Sequence, residues 1–475
     1  MRTLSTLLML LGTGTISAQV VPLVPFDHTL DLLVVDSTFD GVFRLGDRSQ
    51  NGDYLGGSEI TTFYDDVLGS IVLTNPSCIA VSRFGTAYVG DSTVDIVLAL
   101  TDRNGDGDAL DAGEHTVFFD SATNASGIVM ASIQGITVAA TDEIFAAVSN
   151  AGSSGTDMIL RLADQNGDGD ANDAGEATIY CQIPNAGTSV GDSIPTKVVV
   201  APNLDVYYTD VGSTGVIAKG VWRLHDGNMD GDCNDPGEVT LFWSPPAPAN
   251  AFYWSLAVGS DGTFYVTDHG NETIWRARDL DNSGAIDPSE ENLFYQTSGS
   301  TWWDVVLRDD GVVLVCEDQT PDRITALVDL NADGDALDPN ESYDVYDATL
   351  SATAVRPRGA ALMRGPSLSV APATVQVGNS ATVVIEATRP GDLVVLAGSF
   401  GLVAPTPIAP FGYVELDTAL LVSFGLSIAN AGGQTTASLA VPNNPALVGG
   451  YGFQALAGDL FRPYLTNGAL LTVTP

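Results

Sequence analysis

One acidic loop recurs six times along the chain, and that recurrence limits the fold more than any other feature. The second copy reads DRNGDGDALDAGE, from Asp102 to Glu114. It returns as DQNGDGDANDAGE at Asp164, DGNMDGDCNDPGE at Asp226 and DLNADGDALDPNE at Asp329, with a shorter DLDNSGAIDPSE at Asp279 and a degenerate DRSQNGDYLGGSE at Asp47. The copies start roughly 50–60 residues apart, a period that marks stacked structural repeats. Around each loop the same short strand-like runs appear in the same order. In the fifth unit these are Trp254–Gly259, a turn over Ser260–Thr263, Phe264–Asp268, Thr273–Ala277, the loop, and Asn292–Gln296. The second unit repeats them as CIAVSRFG, TAYVGDS, DIVLALTD, the loop and HTVFFDS. Four antiparallel strands per unit, six times over, predict an all-β chain folded as a six-bladed β-propeller. The first unit begins at Leu32–Asp36, which corresponds to a second strand. After the sixth unit, Arg358–Met363 resembles a first strand, so it is predicted to complete unit one and close the ring.

Oxygen-bearing side chains stand at every second loop position, with a glycine at the turn and a glutamate at the end. In the second copy they are Asp102, Asn104, Asp106, Asp108, Asp111 and Glu114, around Gly107. The equivalents are Asp164, Asn166, Asp168, Asp170, Asp173 and Glu176; Asp226, Asn228, Asp230, Asp232, Asp235 and Glu238; and Asp329, Asn331, Asp333, Asp335, Asp338 and Glu341. The short copy offers Asp279, Asp281, Ser283, Asp287 and Glu290. Calcium takes six to eight oxygens in a tight chain wrap, so several structural Ca²⁺ ions are the cofactor this spacing predicts. The short copy matches the twelve-residue EF-hand loop pattern, and the longer copies resemble it with one residue added before the acidic end. Carboxylates about 4 Å apart repel by roughly 4 kcal/mol at an effective dielectric of 20, which a cation would relieve. In the first copy Ser49 and Gly56 replace Asn and Asp, so weak or no binding is expected there. The four histidines and four cysteines are not spaced as zinc ligands.

The stretch SLAVGSDGTFYVTDHGNETIWRARD, Ser255 to Asp279, resembles an NHL-type repeat, with an acid ending its second strand and an Asn-containing turn after it. The resemblance covers roughly residues 30–364 and implies a propeller. The acid or amide at that position recurs as Asp36, Asp91, Asn150, Asp210, Asp268 and Asp318, read as turn-capping groups. Propellers of this kind carry ligands at the central mouth, where the turns entering the first strands gather. That resemblance nominates Tyr253, Trp254, His269, Trp302, Trp303, Arg356 and Arg358 as ligand-binding residues able to stack a sugar ring and hold an anionic group. Metal-dependent lactonases and calcium-dependent phytases share related propellers, but Asn75 and Asn150 do not complete a lactonase ligand set, and the chain is poor in the basic residues a phytase needs. No G-x-S-x-G elbow with partners, P-loop or dinucleotide glycine pattern is present.

Acids number 59 against 18 bases, for a net charge of −41. Phosphate-led nucleic-acid binding is therefore excluded as a working expectation. Arg2, the apolar run Leu7–Leu11 and Ile16–Ala18 make a secretory leader over residues 1–18, too short to span a bilayer. In such a compartment a Cys181–Cys233 bridge is open to the chain, whereas Cys78 and Cys316 fall in apolar strand runs and read as buried thiols. The expected domains are the propeller over 19–364 and a β-sandwich over 365–475, where charges thin out and strand runs alternate with Gly/Pro/Asn turns. The resulting expectation is a secreted calcium-binding propeller acting as a binding or scaffold protein at or outside the cell surface, with a macromolecule or small polar molecule as partner. The alternative is a metal-dependent hydrolase of the lactonase or phosphoesterase type at the channel mouth.

Overall fold

The computed structural model describes residues 31–363 other than 49–50, 83–84, 104–105, 150–156, 184–192, 213–218, 247–250, 309–310, 319–320 and 352. Beyond these it describes 367–372, 374–386, 393–399, 406–408, 412–414, 416, 422–429, 434–444, 447–458, 463–465 and 469–474. The leader and its cleavage point lie outside these residues, as do Ser49, Asn104 and Asn150. Contacts divide the chain into two units, one ending at Met363 and one beyond it. Among the described residues no helix is long and apolar enough to cross a membrane.

Six four-stranded antiparallel sheets make up the first unit, and they are the six blades of a β-propeller. Blade 1 runs Gly359–Leu362, Leu32–Asp36, Gly41–Leu45, Ile60–Asp65; blade 2 runs Pro76–Val81, Ala87–Asp91, Ile96–Leu100, His115–Asp120. Blade 3 holds Ile133–Val138, Ile144–Val148, Met158–Leu162 and Ala177–Gln182; blade 4 holds Pro195–Val200, Val206–Asp210, Gly220–Leu224 and Val239–Trp243. Blade 5 holds Tyr253–Val258, Phe264–Asp268, Thr273–Ala277 and Glu291–Gln296; blade 6 holds Trp302–Leu307, Val313–Glu317, Arg323–Leu327 and Ser342–Asp347. Ring closure follows the sequence expectation: Gly359–Leu362 pairs with Leu32–Asp36, with Leu362 opposite Leu32 and Gly359 opposite Val35. The second strand of every blade is mostly apolar and buried along its length, save for the half-buried Tyr88 in blade 2, because a neighbouring blade covers each face. The core is accordingly a series of apolar clusters between successive blades, such as Val97, Phe119, Ile133 and Leu160, or Val221, Phe264, Leu256 and Val266. Each fully buried side chain of this kind contributes about 1.5–3 kcal/mol by leaving water.

The outer strand of each blade carries a β-bulge at the same place. Phe63, Phe118, Tyr180, Phe242, Phe294 and Val345 are the residues skipped in the pairing with the third strand. A bulged residue has no cross-strand partner, so its carbonyl is free to point elsewhere. Here it accepts the backbone N–H of the acidic loop in the next blade, from Ala109, Ala171, Cys233, Ile286, Ala336 and, across the closure, Tyr54, at 2.6 to 2.8 Å. The donor is the eighth loop residue in all six copies. Five of these donors are 0 or 1% exposed, which explains why this position is never charged. The loops therefore clasp neighbouring blades together and also blunt the edge strands they cover.

Inner strands approach closely where side chains are small. A Cβ on Gly135 would lie 2.6 Å from the Thr196 carbonyl oxygen and 2.7 Å from the Lys197 Cα. Gly135→Ala should therefore cost about 1–3 kcal/mol through overpacking, read as a lower urea midpoint with an unchanged slope.

Beyond Met363, Ser367–Ala371, Ser380–Glu386 and Gln434–Ala440 form one sheet. Thr374–Gln376, Ala469–Thr474, Gly449–Gly458, Leu393–Ser399 and Val422–Ile428 form a second. Alternate residues of the two, including Ala381, Val383 and Ile385 with Val394, Leu396, Phe453 and Val473, share one apolar core.

Candidate functional site

Each acidic loop turns on its sixth residue, a glycine in the left-handed region: φ is 106° at Gly107, 99° at Gly169 and Gly231, 84° at Gly284 and 105° at Gly334. That glycine's N–H is held by the first aspartate of the loop, as in Gly231 to Asp226 and Gly284 to Asp279, both 2.9 Å. The closing glutamate spans the loop. Glu238 accepts the N–H of Gly227 on one oxygen and that of Asp235 on the other; Glu290 does the same with Leu280 and Asp287, and these amides hold its carboxyl below the usual range. A carboxylate oxygen that accepts one amide keeps a second lone pair, so this arrangement still leaves it a ligand. Three loops bring ligand atoms of three acids within 4.8 Å of one another: Asp106, Asp108 and Glu114; Asp168, Asp170 and Glu176; Asp279, Asp281 and Glu290. Burial, and then the charges of Asp106, Glu114 and Asp111, push the Asp108 carboxyl up. Asn166, Asn228 and Asn331 each donate their side-chain amide to two carboxylates of their own loop, holding together oxygens that a cation would gather. The residue added in the longer copies is the ninth. Where it is Asn172 or Asn234, its side-chain oxygen accepts an outer-strand N–H of the preceding blade, from Asp120 or Gln182. The preceding blade also sends arginines to these turns, with Arg44 donating to the Gly107 carbonyl and Arg276 to that of Gly334.

At the mouth the structure splits the nominated residues. Tyr253 and Trp302 are 0 and 1% exposed and belong to the core between blades, with the Tyr253 hydroxyl donating to the Pro245 carbonyl. Trp254, His269, Trp303 and Arg358 converge, joined by Phe252, which the sequence reading missed. Phe252 stacks on Trp254 at 5.4 Å, Trp254 meets Trp303 edge-on at 4.8 Å, and the Arg358 guanidinium lies 4.3 Å over the Trp303 ring. Burial pushes His269 below its usual value, although a hydrogen bond to the Trp302 backbone opposes this. The two arginines are not poised for an anion. Both Arg356 and Arg358 pair with Asp318, at 2.5 and 2.6 Å, and Arg356 lies 3.8 Å from Asp322. Asp36, Asp318 and Asp322 thus outnumber them. Burial, then the Asp318 charge, pushes Asp322 up to about 6. A raised carboxyl makes the folded state bind more protons between its ordinary pKa and 6, so the cost is fully present above pH 6 and gone below about 4. Asp322→Asn is expected to raise the melting temperature at pH 8 and to give no advantage at pH 4.

The repeated acid at the end of the second strand caps backbone amides as expected. Asp268 accepts the N–H groups of Phe252 and Gly270, and Asp91 those of Thr74, Asn75, Thr93 and Val94. In blade 6 the strand register puts Glu317 at that position; Asp318 follows it. The amide of Asn75, weighed above as a metal ligand, donates instead to the Ser92 hydroxyl.

In the centre, where the first strands of the six blades adjoin, stands a buried ion pair that the sequence reading missed. Lys197 of blade 4 donates to Asp304 of blade 6 at 2.7 Å, with side-chain exposures of 13 and 4%. The Ser255 hydroxyl of blade 5 donates to the same oxygen at 2.6 Å, and the Ala360 N–H of blade 1 to the other at 2.9 Å. Asp304 thereby joins four blades. All four cysteines are free and buried, so the bridge open to Cys181 and Cys233 does not form; burial pushes both thiols up to about 12.

The sequence matches no family model and no curated protein. Among solved structures it is similar to a protein of unknown function from Bacteroides caccae, with 10% identity and a TM-score of 0.42 over 71% of this chain and 99% of that one. It is also similar to a catalytically inactive virginiamycin B lyase from Staphylococcus aureus, with 14% identity and a TM-score of 0.38 over 77% and 95%. A third is the calcium-binding protein regucalcin from Agrobacterium tumefaciens, with 12% identity and a TM-score of 0.36 over 57% and 75%. Similarity at this level carries no functional argument.

Proposed function

We propose that the chain is a secreted calcium-stabilised propeller that works as a binding or scaffold protein outside the cell, its first 18 residues serving as a leader. In this reading residues 19–364 form NHL-type blades with EF-hand-like loops, and residues 365–475 form a β-sandwich. The observation that carries it is the double use of the acidic loop. In three copies its carboxylates lie within 4.8 Å of one another, and in all six its eighth N–H clasps the preceding blade. A cation in the loop would supply charge neutralisation among the oxygens of the first, third, fifth and later ligand positions, and its binding energy would become ring stability. The hydrolase alternative has weaker support, because the central carboxylate, Asp304, is already taken up by Lys197, Ser255 and Ala360. After equilibration with calcium and removal of free ion, elemental analysis should find about five calcium ions per chain, one for each well-formed loop. A value of one or none would defeat the proposal.

A further inference from the structure

Blade 6 departs from the other five at the middle of its third strand. The third residue of the third strand is Phe43, Leu98, Leu160, Trp222 or Trp275 in blades 1 to 5, and Thr325 in blade 6. Opposite it on the outer strand stand Thr62, Val117, Ile179, Leu241 and Leu293, and in blade 6 Asp344. A large apolar residue of the third strand has become a small polar one, with the Thr325 hydroxyl donating to Asp344 at 2.9 Å. At this level an open cavity of about 250 Å³ lies against blade 5, lined by Thr325 and Asp344.

Its lining is a built set of donors and acceptors. Trp302, 1% exposed, lines the cavity, and its buried indole N–H has no hydrogen-bond partner. Glu317, 5% exposed, has Ser300 as a side-chain partner, and burial raises its carboxyl. The Arg323 Nε–H makes no hydrogen bond, its ion pairs with Asp344 and Asp347 being long at 3.8 and 3.6 Å. Tyr295 of blade 5 sets a second aromatic wall, 6.0 Å from Trp302 between ring centroids. A buried unpaired N–H costs roughly 1–3 kcal/mol, so a ligand that accepts from it has a large local advantage. An anion would meet Glu317 and Asp344, and a cation would meet Arg323. A hydroxyl suits both, since it accepts from Trp302 or Arg323 and donates to Glu317 or Asp344. The aromatic walls cover the C–H face of a ring. Pockets for drug-sized molecules begin near 300 Å³, so this one has room for roughly a single small ring.

We infer that the cavity between blades 5 and 6 binds one neutral polyhydroxylated ring, a monosaccharide unit, through Trp302, Glu317 and Arg323. The site is distinct from the aromatic cluster of Trp254 and Trp303, and it goes beyond the calcium reading, holding whichever ion the loops take. The test titrates the full chain, in calcium buffer, with the methyl glycosides of glucose, galactose, mannose and N-acetylglucosamine by saturation-transfer NMR and calorimetry. At least one glycoside should bind at one per chain. Trp302→Phe and Glu317→Gln should each weaken it about tenfold or more, the loss of one buried hydrogen bond. Thr325→Leu, which restores the side chain that blades 2 and 3 carry, should abolish binding with the melting temperature kept, and it decides the matter if Trp302→Phe does not fold. Absence of binding by all four glycosides to a chain with a normal melt, or binding unchanged in Thr325→Leu, would overturn the assignment without touching the calcium reading.

Discussion

Removing calcium with EGTA should lower the melting temperature of the chain by on the order of 20 °C, and calcium, not magnesium, should restore it. A site held at 100 times its dissociation constant adds about 2.7 kcal/mol to folding, so five such sites together add on the order of 13 kcal/mol. In a domain of this size 1 kcal/mol moves the melting temperature by roughly 2 °C. The effect should spread over the whole ring, because each loop is also the clasp between two blades. A loop splayed by its own carboxylates releases its eighth N–H, and the bulged carbonyl on the outer strand of the preceding blade loses its partner. Calorimetry with and without chelator measures this. An unchanged melt would mean that backbone amides and asparagine side chains satisfy the carboxylates without any ion.

The second large effect is expected at the centre. Asp304→Ala leaves the Lys197 ammonium buried and unpaired, and breaking a buried pair from one side costs about 3–5 kcal/mol. It also strands the Ala360 N–H and the Ser255 hydroxyl, so it should cost more than Lys197→Met, which leaves Asp304 its Ser255, Ala360 and Val305 partners. The double variant Lys197→Met/Asp304→Leu should recover part of the loss, since an apolar pair in place of a buried ion pair is often neutral. The stranded Ala360 N–H, worth roughly 1–3 kcal/mol, should keep the recovery incomplete. Urea unfolding of the three variants decides this. A loss below about 1 kcal/mol for Asp304→Ala would show that Asp304 does not tie the blades together.

Internal repetition made much of this legible beforehand. The runs VVD, YVGD, YYTD and YVTD end second strands where the alternation placed them, and the displaced Arg358–Met363 run does close the ring. Two registers differ from the expected alignment: in blade 3 the pairing with Ile133 puts Val148 at the position assigned to Asn150. Asp318 was aligned with the capping aspartates because it is an aspartate, whereas pairing with Trp302 puts Glu317 there. At the mouth, Trp302 and Trp303 are adjacent in sequence and read alike. In the structure the first enters the core between blades and the second stays partly buried beside Arg358.

By itself the sequence determined what acts over short range: strand alternation, the glycine that a left-handed turn requires, the spacing of loop oxygens, and the number of blades. These depend on neighbours a few residues apart, so a pattern repeated six times records them. Only the tertiary structure decided what acts between blades. Lys197 and Asp304 stand 107 residues apart, and each clasp joins a loop to a bulge on a different sheet. The cavity brings Thr325 of blade 6 together with Tyr295 of blade 5. No local periodicity encodes such partners, because ring closure chooses them.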